Sequence, residues 1–185
     1  MGDATVQSSM FKALIATADP PLLGPQRRPG TASEADLNRQ LDKFLTAQKI
    51  SARVQPLLRG AALLWHDHLD ASHAISQGIE TRDGSWLHGI MHRREPDYGN
   101  AKYWFRRVGQ HDAFPALAER VGSLLQKDGR ELTRRLIENG QWVPFAFINE
   151  CERAEQSRDA ALPLKLRQIQ ATEFDTLIEH ILASE

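Results

Sequence analysis

Residues 65–111 read WHDHLDASHAISQGIETRDGSWLHGIMHRREPDYGNAKYWFRRVGQH, and their punctuation decides the fold class. Gly78 ends a helix that Pro56 opens, since proline suits a first turn and glycine a C-terminal end. Asp83 can cap a second helix, which Pro96 stops. Asn100 can cap a third, stopped by Gly109. The links between them are too short for anything but neighbouring helices.

The same grammar extends outward. Upstream, Thr31 or Ser33 can cap a helix whose apolar residues Leu37, Leu41, Phe44 and Leu45 recur at helical spacing. Downstream, Pro115, Asp128, Pro144 and Pro163 each stand at a helix start, and Asn139-Gly140 reads as a C-terminal cap pair. Strand-like alternation is absent. The predicted fold is all-α, a single-domain bundle of about seven to nine helices. Residues 19–31, DPPLLGPQRRPGT, hold four prolines and two glycines, and with residues before them form a predicted flexible N-terminal arm over 1–31. The helical domain is predicted over 32–185, and Met10–Ala18 is expected to form a helical turn or two.

Composition narrows the function classes. A chain of 185 residues with 41% apolar and 25% charged residues is built like one globular domain, long enough to need neither disulfide nor metal for stability. Basic and acidic residues number 23 and 24, so no global field favours nucleic acid or a membrane surface. No apolar run is long enough to span a bilayer. The first residues match neither a signal peptide nor a myristoylation site. One cysteine, Cys151, fits a reducing, cytoplasmic compartment and reads as an inert buried thiol.

The chemistry-bearing residues collect in the opening stretch, which holds six of the seven histidines, three of the four tryptophans and both tyrosines. His66, Asp70 and His73 stand at i, i+4 and i+7, and so do His88, His92 and Glu95, giving each helix a one-sided stripe. Counted from the turn between them, His73 falls level with His88, Asp70 with His92, and His66 with Glu95. If the stripes meet, they form a divalent-metal site, a metal-free acid–base site, or a hydrogen-bonded seam. His66, His68, His88 and His92 are the candidate proton-transfer residues. Asp70 and His73, with His66, His88 and His92, are the candidate metal ligands.

A second expectation concerns an anion. Arg93, Arg94, Lys102 and Arg107 are interleaved with Glu95, Asp97, Tyr98, Asn100 and Trp104. A helix beginning at Asn100 would point free N–H groups at the Pro96–Gly99 turn, where Arg93 and Arg94 could complete a site for phosphate or carboxylate. Trp104 could stack on the ligand. Arg107 is expected inward and paired, and Arg106 outward. Nucleic acid is not expected, because acids interrupt the basic run.

Established motifs are incomplete. H-E-x-x-H, G-x-G-x-x-G, a P-loop and G-x-S-x-G are absent. His66-Asp67 is the dipeptide of helical HD-type phosphohydrolases, but no histidine precedes it. Asp70-x-x-His73 is half of a carboxylate-bridged di-iron motif without its second copy. The run WHDHLD followed by HRREPDYGNAKYWFRRVG resembles an uncharacterised family of small helical proteins from bacteria and filamentous fungi. That resemblance covers residues 57–111 closely and implies kinship without an assigned reaction. The sequence therefore points to a protein that binds a small polar or anionic molecule, or acts on it. A metal-dependent hydrolase or oxidoreductase and a non-catalytic interaction protein stand as alternatives.

Overall fold

The structure is a computed structural model that describes residues 2–127, 129–157 and 159–184. Its elements are α1 (Gly2–Leu14), α2 (Glu34–Ala47), α3 (Gln55–Trp65), α4 (Leu69–Ser76), α5 (Arg82–Arg94), α6 (Tyr98–Val108), α7 (Phe114–Leu124), α8 (Arg130–Leu136), β1 (Ile137–Glu138), β2 (Gln141–Trp142), α9 (Pro144–Glu155) and α10 (Ala161–Ala183). Helices take up well over half of the described residues, and their only sheet is the two-stranded ribbon β1–β2. The all-α, single-domain expectation holds. No helix among the described residues is long and apolar enough to cross a membrane.

Local rules explain most boundaries. Ser33 caps α2 by accepting from the Asp36 N–H, and Leu37, Leu41, Phe44 and Leu45 form its buried face. Two caps sit earlier than the sequence suggested. Thr81, not Asp83, accepts from the Gly84 N–H at 3.1 Å, and Asp97, not Asn100, accepts from the Asn100 N–H at 3.0 Å. A capping oxygen serves an N–H two or three residues ahead, so Asp83 and Asn100 already lie inside the first turns. Asn139-Gly140 is not a helix end. With φ of 50° and 74°, the pair forms the tight turn that sets Ile137 opposite Trp142 in the ribbon. Asp128, read as a helix start, lies outside the described residues.

The predicted helix over 56–78 is broken into α3 and α4 at Asp67, whose φ is 66°. Aspartate tolerates this left-handed conformation better than most residues. Here its carboxylate is also held, by the Arg28 N–H at 2.9 Å, Arg28 Nε at 2.8 Å and Arg94 Nη2 at 2.7 Å. The N-terminal arm is correspondingly docked rather than loose. Phe11 of α1 and Ile15 just beyond its end are buried in the core, and Lys12 pairs with Glu179 of α10 at 2.7 Å. The proline-rich strap that follows offers carbonyls: Arg167 donates to Pro20 and Pro21, Gln170 to Pro21 and Leu22, and Arg94 to Leu22.

Helix α5 is the axis of the domain, with every residue from Gly84 to Arg94 buried. Its closest neighbour, α6, approaches at Gly89, where an added Cβ would meet Phe105 Cδ2 and Cε2 at 2.7 Å. Gly89→Ala would gain about 1 kcal/mol of helix propensity. Overpacking costs roughly 1–3 kcal/mol. A net loss of about 1 kcal/mol is expected, read as a lower urea midpoint; an unchanged or higher midpoint would show that Phe105 yields without cost.

Candidate metal centre

Residues 77–81 turn the chain from α4 into α5, which brings His73, in the last turn of α4, against two histidines one turn apart on α5. Ring centroids lie 4.8 Å apart for His73 and His88, 5.1 Å for His73 and His92, and 4.7 Å for His88 and His92. One ring nitrogen from each of the three lies within 4.8 Å of those of the other two. His88 and His92 are buried and His73 is half-buried.

The hydrogen bonds fix what these rings can do. His92 Nδ1 stands 2.9 Å from Glu95 Oε2. A carboxylate accepts, so Nδ1 carries the proton and Nε2 keeps its lone pair. Asn100 Nδ2 lies 3.1 Å from Nε2 and 3.4 Å from Nδ1 of the same ring. Those two nitrogens point to opposite edges, so an atom nearly equidistant from both lies over the ring face, off either in-plane lone pair. Nε2 is thus open. Neither nitrogen of His88 has a partner, and both are buried. An unpaired buried polar group costs roughly 1–3 kcal/mol and calls for a reason. Burial, followed by the neighbouring His92 and His73, pushes His88 from 6.5 down to about 3. Burial also lowers His92, against the opposing pull of Glu95. Both rings are therefore neutral at pH 7, the form that donates to a metal.

Trp104 closes one side, stacked on His88 at 3.9 Å with 20° between planes. Arg107 lies 5.3 Å from the centre of the Trp104 indole. Its expected burial is corrected: Arg107 is exposed, as is Arg106. A guanidinium over the face of a half-buried indole is stabilised there without leaving water. Lys102 reaches Glu152 of α9 at 3.7 Å.

The expected anion site at Arg93 and Arg94 is also corrected. Both point into the core, where distant carboxylates meet them. Arg93 donates to both oxygens of Glu173 and to Gln170, and its guanidinium lies 4.5 Å from the Phe147 ring centre. Arg94 pairs with Asp67. The helix N-terminus expected to help them is already capped by Asp97, which is exposed. Tyr98 turns toward α9; burial, then a hydrogen bond with Glu155, raises its hydroxyl above its ordinary range. Cys151 is buried, and burial pushes its thiol up to about 12, far from a nucleophile.

The upstream stripe divides. Because the chain breaks at Asp67, His66 and His68 leave the face that carries His73 and hold the main chain at Ala32 instead. His66 Nδ1 accepts from the Ala32 N–H at 3.1 Å, and His68 Nε2 donates to its carbonyl at 2.9 Å. Asp70 is exposed and outside the histidine cluster, in the wall of an open cleft of about 400 Å³ that Glu95 also lines. His66 and Asp70 are thus not metal ligands in this arrangement.

A second group, Asp83, His111 and His180, was not legible in the sequence, since α5, the α6–α7 link and α10 supply one member each. Its hydrogen bonds separate it from the first. His111 Nδ1 accepts from the Ala113 N–H at 3.2 Å, so the proton sits on Nε2 and is donated to Asp83 Oδ1 at 3.0 Å. A metal at Nε2 would force the proton onto Nδ1, against another donor. This group is a hydrogen-bonded tie between helices. Compared with protein-family models, curated proteins and solved structures, the chain matches none of them.

Proposed function

We propose that this protein binds one divalent transition metal through His73, His88 and His92, and that the ion serves a metal-dependent, hydrolase-type activity on a small polar molecule. The observation that carries this reading is His88: a buried imidazole with both nitrogens unpartnered, set between two others whose nitrogens lie within 4.8 Å. Tetrahedral zinc with bonds of about 2.0–2.1 Å holds its ligand atoms roughly 3.3 Å apart, so modest side-chain rotations would close the triad. Three imidazoles are the protein donor set of catalytic zinc, whereas structural sites are closed by a fourth protein ligand. Glu95 fits the outer carboxylate that orients a ligating histidine and raises its basicity. Such an ion would supply Lewis acidity and an activated water at neutral pH.

Calorimetric titration of chelator-treated protein with Zn²⁺ tests the reading. One ion per chain is expected. Glu95→Gln is expected to weaken binding by about 10–100-fold, as loss of an outer partner does, and His88→Ala and His92→Ala by more than that. Absence of binding, or equal binding by wild type and His88→Ala, would reject the assignment.

A further inference from the structure

The geometry points to a centre whose fourth coordination position is left to an exchangeable ligand, and to a small anion or an anionic oxygen of the substrate as that ligand. This rests on the metal reading above and adds what the metal faces.

The donor count comes first. The cluster of ligand atoms contains three imidazoles, and no carboxylate or thiol among the described residues joins it. Glu95, three residues after His92, is committed to the Nδ1 edge of that ring, opposite the Nε2 that would face the ion. Asp70 lies three residues before His73 on α4, but it falls outside the cluster and is exposed. The other neighbours cover faces and donate no lone pair. Trp104 lies flat on His88, and the Asn100 amide nitrogen lies over the His92 ring. His73 is the one member of the three that is not fully buried, so an exchangeable ligand would reach the ion from its side.

Charge then selects the ligand. Imidazoles ligate as neutral molecules, so three of them leave the full double charge of the ion, offset from outside by Glu95 behind His92 and more weakly by Asp97. Among the described residues no carboxylate pairs with Arg107, whose guanidinium lies over Trp104 next to His88. A centre with unneutralised positive charge, screened by an indole that carries the Arg107 cation, favours a negative oxygen or nitrogen donor over a neutral one.

The test loads the full chain with Co²⁺, whose visible bands report coordination, and titrates it with sodium azide. A saturable shift of the cobalt bands is expected, with the ion retained. Cobalt bound but indifferent to azide would overturn this inference and leave the metal site standing. A wild-type spectrum indifferent to azide that becomes responsive in Asp70→Ala would overturn it as well, by showing Asp70 as the fourth ligand. Failure to bind Co²⁺ at all would reject the metal reading and this inference together.

Discussion

Glu173→Ala is expected to lower the unfolding free energy by about 3–5 kcal/mol, the usual cost of removing one partner from a buried ion pair. Glu173 is fully buried in α10 and takes three donations, two from Arg93 and one from Trp86 Nε1 at 3.1 Å. Arg93 is 1% exposed and carries its charge at the middle of the domain. With alanine in place of the carboxylate, the guanidinium keeps Gln170 and the Phe147 face but loses its counter-charge. Arg93 follows His92 directly on α5, so the loss falls on the helix that carries two of the three histidines. The double variant Glu173→Leu with Arg93→Met removes both charges and is expected to recover part of the stability, because a buried pair replaced by apolar residues is often neutral while the Trp86 N–H still loses its acceptor. Urea unfolding of the two proteins reads this directly. A loss below about 1 kcal/mol in Glu173→Ala would mean that Arg93 reaches water when its partner goes.

Acid is expected to unfold the metal-free protein in a window set by His88. Unfolded, this imidazole binds a proton near 6.5; folded, burial and its histidine neighbours hold it neutral down to about 3. Between those values the unfolded chain binds more protons, so stability rises with pH there. The contribution is fully present above pH 6.5 and is lost as pH falls toward 3. One group in this position changes stability by about 1.4 kcal/mol per pH unit, on the order of 4–5 kcal/mol across the window. His66, lowered chiefly by burial, and His92 act in the same direction. Unfolding free energies measured in chelator across the window are expected to fall less steeply for His88→Leu, which cannot titrate. Identical slopes would place the acid lability elsewhere.

The part of this architecture that depends on neighbouring residues was readable from sequence. Proline at helix starts, Ser33 as a cap and the spacing of Leu37, Leu41 and Phe44 are local facts, and local rules find them. The pairing of His73 with His88 followed from counting outward from the turn, which works because a short link fixes register. The same count put Asp70 opposite His92 and His66 opposite Glu95. Asp70 instead faces solvent on α4 while His73 meets His92 as well as His88, and His66 is carried off the stripe altogether. The helix assumed to run through Asp67 breaks there, because Arg28 and Arg94 hold its carboxylate from remote segments. Arg93 was misread likewise. Its charge suggested a surface ligand, while its acceptor, Glu173, lies 80 residues away, beyond any local pattern. Helix α5 is buried on all sides, so no amphipathic stripe could mark which way its arginines point.

X-ray absorption at the zinc edge on protein loaded with one equivalent of Zn²⁺ tests the metal assignment most directly. A first shell of three imidazole nitrogens and one exchangeable oxygen or nitrogen donor, at about 2.0–2.1 Å, is the predicted result, with the imidazole scattering reduced in His88→Ala. A shell of oxygen donors alone, or one unchanged by His88→Ala, would contradict it and leave the three histidines as a packed seam between α4 and α5.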